Sequence, residues 1–431
     1  VKALWLHVRN SPVRWTLPVF VVLDLAVLFL RSRTWIGVWP ETGAAAQLPA
    51  YLMGILVAGA AAWAAGAPSR HRLGEQVSAS RFPPAVSEGH RLASTIIVLV
   101  TPYLTGQIVA FVITARTFPP GVHLFLGYAG LGLFVMLMAV ALGWACGLLL
   151  DGQVFPALTA VMGFFLLAAA LGRTGSIVLT GPPESTVDPI ALTLRLGLVT
   201  ALMLALIWLP ATDRDRPSGR KALVAAVAAL PLVATVVGTR PVVDREQPGT
   251  NVICLDGASK ICIWPEHEKY LPQLQELNAR ISLLPATFVP PPLINEAGIT
   301  KTRHIGPDGK EYISYGGGPP IFYIFDGSPW SYADDIGNAI NKSTFGFNDD
   351  QNCDWQELSQ SDQERIWAVD KWMETYLVGD GAPDYQTDAS NEMQVAWSKG
   401  REIASRARVD QFRWAEQEVR DVRARYCQPG R

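Results

Sequence analysis

Seven apolar runs, each near the length needed to cross a bilayer, crowd the first 238 positions of this 431-residue chain. A helix needs about 20 mostly apolar residues to traverse roughly 30 Å of hydrocarbon. The runs are 15–31, 48–66, 94–115, 123–150, 154–172, 189–210 and 221–238. The first is short, its apolar core of Leu17 to Leu30 interrupted by Asp24, and the last contains Pro231. Membrane helices tolerate proline because neighbouring groups satisfy the freed carbonyl. Only 17% of all residues are charged, against about 25% in ordinary soluble domains, and the deficit lies before residue 239. The expected architecture is a polytopic α-helical membrane domain of about seven transmembrane helices (15–238). An interfacial, cytoplasmic segment (1–14) precedes it, and a linker (239–250) and a water-soluble domain (251–431) follow.

The first run imitates a signal peptide, with Lys2, Arg9 and Arg14 before an apolar core. The nearest small-residue run, Ala44-Ala45-Ala46, lies beyond Arg31, Arg33, Trp35 and Trp39, too far for cleavage, so the segment reads as an uncleaved helix. Orientation follows from the bias of Lys and Arg toward cytoplasmic loops. With a cytoplasmic N-terminus, the inside segments hold Lys2, Arg9, Arg14, Arg70, Arg72, Arg81, Arg91, Arg214, Arg216, Arg220 and Lys221. The outside loops hold Arg31, Arg33, Arg116 and Arg173. An odd number of crossings then places residues after 239 outside the cell, in a plasma membrane. Arginine far outnumbers lysine, and Ala, Val, Leu and Gly abound, a bias of GC-rich genomes such as those of actinobacteria.

Cysteine usage agrees. Cys146 falls in an apolar run, while Cys254, Cys262, Cys353 and Cys427 fall in the proposed outer domain. An even number confined to one side suits an oxidising compartment. Four cysteines allow three pairings. The reading favours Cys254–Cys262, which flank an Asp256-Gly257 turn, and Cys353–Cys427, which tie the last helix back. The outer domain reads as α+β. A hairpin is expected over 251–264, and a helix opening at Pro265 with Glu266 and Glu268 in its solvated first turn. Leu271, Leu274, Leu277 and Ile281 then recur at helical spacing. Further β structure is expected over 302–325, including Ile321 to Phe325. A helix with a Ser361/Glu364 capping box follows, and a last helix runs from about Val409 to Cys427.

Motifs for chemistry are sparse. No G-x-x-x-x-G-K-[ST] occurs, and Gly316-Gly317-Gly318 leads into Pro319-Pro320, not into Lys and a helix. Glu266-His267-Glu268 offers three potential ligands, but adjacent helical positions diverge by about 100°, so no metal site is assigned. No H-E-x-x-H or G-x-S-x-G is present. The histidines of a peptidase are missing beside Asp334-Asp335. No intrinsic catalytic residue is assigned. No basic stripe or zinc-finger spacing points to nucleic acid.

Ionisable and polar groups inside the membrane are the informative ones. Asp24 and Arg195 are expected at depths about one helical turn apart and are read as an ion pair, with snorkelling of Arg195 as the alternative. Gln107 and Tyr103, beside Pro102, are polar candidates for a pathway or for interhelical hydrogen bonds. The basic inside loop 67–93, with Arg70, Arg72, Arg81 and Arg91, is the candidate docking surface for a cytoplasmic partner.

Two stretches carry a family resemblance: Leu4-Trp5-Leu6-His7-Val8-Arg9-Asn10-Ser11-Pro12, an interfacial entry to the first crossing, and Val252-Ile253-Cys254 with Ile261-Cys262-Ile263-Trp264-Pro265-Glu266-His267. With the basic inside loop and the Ala/Leu/Val/Gly helices, they resemble the membrane subunit of ABC-2-type exporters of actinobacterial kind with an appended outer domain. A seventh crossing and an outer C-terminal domain depart from that family's common six-helix plan. The resemblance implies a permease dimer, self-paired or with a paralogue, driven by a separate cytoplasmic ATP-binding subunit. ATP and magnesium would belong to that subunit, with no cofactor in this chain. Competing readings are a membrane-anchored extracellular binding or sensor protein, and a degenerate peptidase-like domain.

Overall fold

The computed structural model describes residues 2–30, 32–70, 83–150, 152, 154–208, 238–245, 251–300, 302–305, 311–314, 318–325, 327–347, 353, 355, 358–379 and 391–427. The chain divides into two compact units, Val1–Arg245 and Glu246–Arg431.

The first unit is a helix bundle. Its helices are α1 (Lys2–Arg9), α2 (Leu17–Phe29), α3 (Ser32–Trp35), α4 (Trp39–Ala65), α5 (Ala67–Arg70), α6 (Pro84–Thr114), α7 (Val122–Leu149), α8 (Phe155–Arg173) and α9 (Pro189–Trp208), with strand β1 (Ser185–Val187) before α9. Strand β2 (Val242–Asp244) pairs antiparallel with β1. Five of these helices, α4 and α6 to α9, are long and apolar enough to cross a membrane. Their outward faces are lined by Leu52, Ile108, Leu126, Met162, Leu166 and Leu204, all exposed, while polar residues such as Gln47 and Arg195 are buried within. That inversion of the soluble pattern is what a lipid solvent selects.

The first expected crossing is shorter than the sequence suggests. α2 has 13 residues, about 20 Å at 1.5 Å per residue, less than the hydrocarbon thickness. The chain around it nevertheless runs from one end of the bundle to the other. His7 of α1 stacks on His90 near the start of α6, at 6.0 Å, and Trp39 packs on Phe111 near its end, at 5.0 Å. Those two points of α6 lie about 32 Å apart along its axis. A 3₁₀ turn at Arg14–Thr16 and α3 supply the remaining reach. The expected crossing at 221–238 falls almost entirely outside the described residues. The nearest described residues end at Trp208 before it and resume at Gly238. Ile207 lies beside Gly89 at the α1 end, whereas Thr239 bonds Arg195 and Pro241 accepts from the Asp188 amide at the opposite end. Residues 239–245, expected as linker, therefore belong to the bundle's far end.

The second unit is α+β. Strands β3 (Ile253–Leu255), β4 (Lys260–Ile263), β5 (Leu293–Glu296) and β8 (Ile321–Phe322) form a sheet in that order. β3–β4 is antiparallel, and β4–β5 and β5–β8 are parallel. Strands β6 (Thr302–Ile305) and β7 (Glu311–Ser314) form a separate hairpin. The helices among its described residues are α10 (Leu271–Ile281), α11 (Pro329–Phe345), α12 (Gln360–Val378), α13 (Asn391–Ala404) and α14 (Arg408–Tyr426). Trp372 of α12 is buried among Phe288, Tyr376, Phe412 and Trp414.

Both expected disulfides are present, Cys254–Cys262 and Cys353–Cys427. Cys254 and Cys262 face each other across the β3–β4 pair, so the hairpin register alone brings them together. Three local expectations need correction. The strand expected over Ile321 to Phe325 is only Ile321–Phe322. The cap of α12 is Ser359, which accepts from the Asp362 amide, so the box lies two residues before Ser361 and Glu364. The turn after Pro265 is a 3₁₀ helix, Pro265–Tyr270, and its Glu266 and His267 are buried, not solvated.

Candidate functional site

A seam of buried polar groups crosses the first unit. It begins on α2, where Asp24 is 1% exposed and neither carboxylate oxygen has a hydrogen-bond partner. The carboxylate lies against α6 at Gly106, where a Cβ would overlap its Oδ2. Next along α6, the Gln107 Nε2 donates to Ala46 O of α4 at 2.6 Å, while Gln107 Oε1 is buried and unpartnered. Tyr103, one turn earlier, is buried and donates to Ala129 O of α7 at 2.7 Å. Both Asp24 and Gln107 lie within electrostatic reach of the Tyr103 hydroxyl.

The seam continues through Gln47 of α4. Its Nε2 donates to Ser176 O at 2.9 Å and its Oε1 accepts from the Val178 amide at 3.1 Å. Arg195 of α9 is fully buried and closes the far side. It donates to Ser176 Oγ, Ala191 O, Thr239 Oγ1 and Thr239 O, the last at 2.6 Å.

The expected Asp24–Arg195 ion pair does not form, because the arginine faces the 176 and 239 segments. α2 packs against α6 and α4, whereas α9 packs against α7 and α6, so the two residues stand on helices that are not packed on one another. Arg195 instead secures α9 to the strand region. Gln107 and Tyr103 do share one region with Asp24. Gln47 and Ser176, which the sequence did not single out, complete the seam. A Gln inside an apolar helix was the available signal for the first.

Two of the four expected docking arginines are described. Arg91 donates to the Ala64 and Ala65 carbonyls at the end of α4 and pairs with Glu88 at 2.6 Å. Glu88 in turn accepts from Trp144 Nε1. Arg70 donates to Trp63 O and stacks on the Trp63 ring. Both are engaged at the end of the bundle where α1 sits. Arg72 and Arg81 lie outside the described residues.

The second unit holds two charged clusters. His267 Nδ1 and Glu296 Oε1 are 2.5 Å apart, both buried, and Glu296 Oε2 accepts from the Trp264 amide at 2.8 Å. The pair fastens the 3₁₀ turn to β5. Among the described residues no three His, Cys, Asp or Glu side chains gather in a metal-binding group. Between α11 and α12, burial pushes the Asp370 carboxyl up to about 6 and Glu374 up to about 7. Glu374 pairs with Lys371, and Asn341 Nδ2 donates to Asp370 at 2.8 Å. A cavity of about 350 Å³ opens beside Asp370, lined also by Asn341, Lys342, Trp367 and Phe347.

These carboxyls predict a pH dependence. The unfolded chain ionises its carboxyls near pH 4, whereas Asp370 and Glu374 keep their protons to about 6 and about 7 in the fold. In that window the folded state binds more protons, so stability falls as pH rises and levels off above it. Each group contributes on the order of 2 kcal/mol. The second unit's melting temperature should therefore rise on acidification from about pH 7.5 to about pH 5. The Asp370→Asn, Glu374→Gln double variant should reduce this rise and leave the part owed to Asp335, which burial also pushes up to about 6; an unchanged profile would show that other groups set it.

Fold and seam together define a polytopic helical protein with a disulfide-bonded α+β unit. No protein-family profile, curated protein or solved structure matches the chain.

Proposed function

We propose that this chain is the membrane-spanning permease subunit of an ATP-driven exporter of the ABC-2 type. It works as a dimer, with a second copy or a paralogue, and with a separate ATP-binding subunit that carries ATP and magnesium. One observation supports this reading best. α1, the start of α6 and the end of α4 converge at one end of the bundle, through His7–His90 and through Arg91 on the Ala64 and Ala65 carbonyls. A push on α1 at that end is passed directly to α6, whose other end carries the seam. Basic residues of the adjoining segments, Arg9, Arg14 and Arg70, favour a cytoplasmic placement for this end. Strand β2, from which the chain leaves the bundle, lies at the opposite end. The second unit is then extracellular, which suits its two disulfides, and caps the exit or binds the exported molecule or a partner.

The cavity beside Asp370 favours a second reading, a membrane-anchored extracellular binding or sensor protein. A mild-detergent pull-down of the full chain, with mass spectrometry of its companions, separates the two. The permease reading expects a stoichiometric P-loop ATPase whose turnover drops when residues 67–93 are altered. Absence of any ATPase, even after crosslinking in the membrane, would overturn it in favour of the receptor.

A further inference from the structure

Asp24 poses a physical problem that packing alone does not solve. An ionised carboxylate stripped of water and left without a donor is among the most costly groups a fold can hold, more so inside a membrane bundle. Both Asp24 oxygens are in that position. Among the described residues, the elements packed against α2 bring no cation to it. From α6 the titratable neighbour is Tyr103, whose hydroxyl proton is already given to Ala129 O. From α4, the Ala46 carbonyl accepts from Gln107 Nε2, and the Gln47 amide is bound to the 176–178 segment. Arg195 is held by Ser176, Ala191 and Thr239. What this neighbourhood does contain is a second unsatisfied acceptor, Gln107 Oε1, on the residue next to Gly106. One proton resolves both faults, because a neutral carboxyl is a donor as well as an acceptor.

We propose that Asp24 is a proton-binding site inside the helix bundle, its carboxyl protonated when α2 is seated on Gly106, with Gln107 Oε1 as the acceptor of its O–H. Release breaks that O–H bond: the electron pair stays on the carboxylate and the proton passes to water. The ionised form cannot remain dry, so release goes with separation of α2 from α6 and hydration of the seam. Occupancy by the proton and seating of α2 are thus two readings of one equilibrium. The glycine at 106 is the condition for this contact, since any side chain there would displace the carboxyl. This inference does not rest on the ATP-driven reading and holds equally for a receptor.

The test is infrared difference spectroscopy on the full chain in lipid nanodiscs at neutral pH, wild type minus Asp24→Asn. The proposal expects a protonated-carboxyl carbonyl band in the wild type that is lost in Asp24→Asn and shifted in Gln107→Leu, where its hydrogen-bond acceptor is gone. Carboxylate stretches in the wild type instead, whether from a free ion or from a bound metal cation, overturn it. Should Asp24→Asn fail to fold, a membrane-permeant carbodiimide on the wild-type protein decides. It adds across the O–H of a protonated carboxyl and leaves carboxylates untouched. An Asp24 adduct that declines as pH rises supports the site. Full recovery of unmodified Asp24 at every pH, with other buried carboxyls labelled, overturns it.

Discussion

Replacing Gly143 by isoleucine is expected to separate α4 from α7 and to cost about 3 kcal/mol or more of membrane-unit stability, the upper range for overpacking a filled interior. A Cβ at Gly143 would overlap the Ala58 carbonyl oxygen and stand 2.8 Å from the Ala61 Cβ. One turn on, a Cβ at Gly147 would overlap the Ala62 carbonyl oxygen and stand 2.7 Å from the Ala65 Cβ. The obstacles are backbone and methyl groups, which have no rotamer by which to yield. Without a hydrophobic force between helices in lipid, close approach of small residues supplies the packing energy, and Gly143-x-x-x-Gly147 against Ala58, Ala61, Ala62 and Ala65 is that arrangement. Gly197 is the control, since a Cβ there meets nothing within 4 Å. Gly197→Ala should be neutral or stabilise by roughly 0.5–1 kcal/mol through helix propensity. Thermal unfolding in detergent reads both. Equal melting temperatures for Gly143→Ile and wild type would refute the close approach.

Much of the bundle was legible because a run of apolar residues in lipid has one stable conformation. Its boundaries were less so. α4 begins at Trp39, nine residues before the expected 48, because Thr42 and Gln47 sit in the helix with their polar groups bonded to Thr114 and the 176–178 segment. A hydropathy window reads such residues as loop. α6 likewise starts at Pro84, ahead of 94, because Glu88 and Arg91 pair with each other and with Trp144 and the α4 carbonyls. In both cases partners distant in the chain made polar residues compatible with burial, and a single sequence does not show those partners. Glu266 and His267 were misread for the same reason, since Glu296, which fastens His267, comes from a strand beyond the next helix. Asp24 was legible as an anomaly but not as an unpartnered one. The lack of a partner follows from which helices are neighbours, α2 on α6 and α4, α9 on α7 and α6, and the periodicity of one helix does not fix that arrangement.

Removing the Cys353–Cys427 bridge should destabilise the second unit by about 4.5 kcal/mol in the chain-entropy account, because it closes a loop of 74 residues. Removing Cys254–Cys262, with a separation of 8, should cost about 2.5 kcal/mol. The larger effect has a structural route. Cys427 ends α14, and around it Arg425 and Tyr426 bond the Asp362 carboxylate at 2.6 and 2.9 Å, while Arg365 of α12 bonds Glu418 and Asp421. Asp362 is buried, yet donors from Ser359, Tyr426 and Arg425 hold its carboxyl below the usual range. With the bridge gone, those contacts must restrain the end of α14 alone. The hairpin bridge, by contrast, spans a β3–β4 pair that its own ladder keeps in register. Chemical denaturation of the Cys353→Ser, Cys427→Ser and Cys254→Ser, Cys262→Ser double variants orders the two. A larger loss from the hairpin pair would contradict the loop-length argument. The same bridges also read the topology. After mild reduction of intact cells, a membrane-impermeant thiol reagent should reach Cys427 if the second unit is extracellular. Labelling only after lysis would reverse the proposed orientation and leave the disulfides without an oxidising compartment to form in.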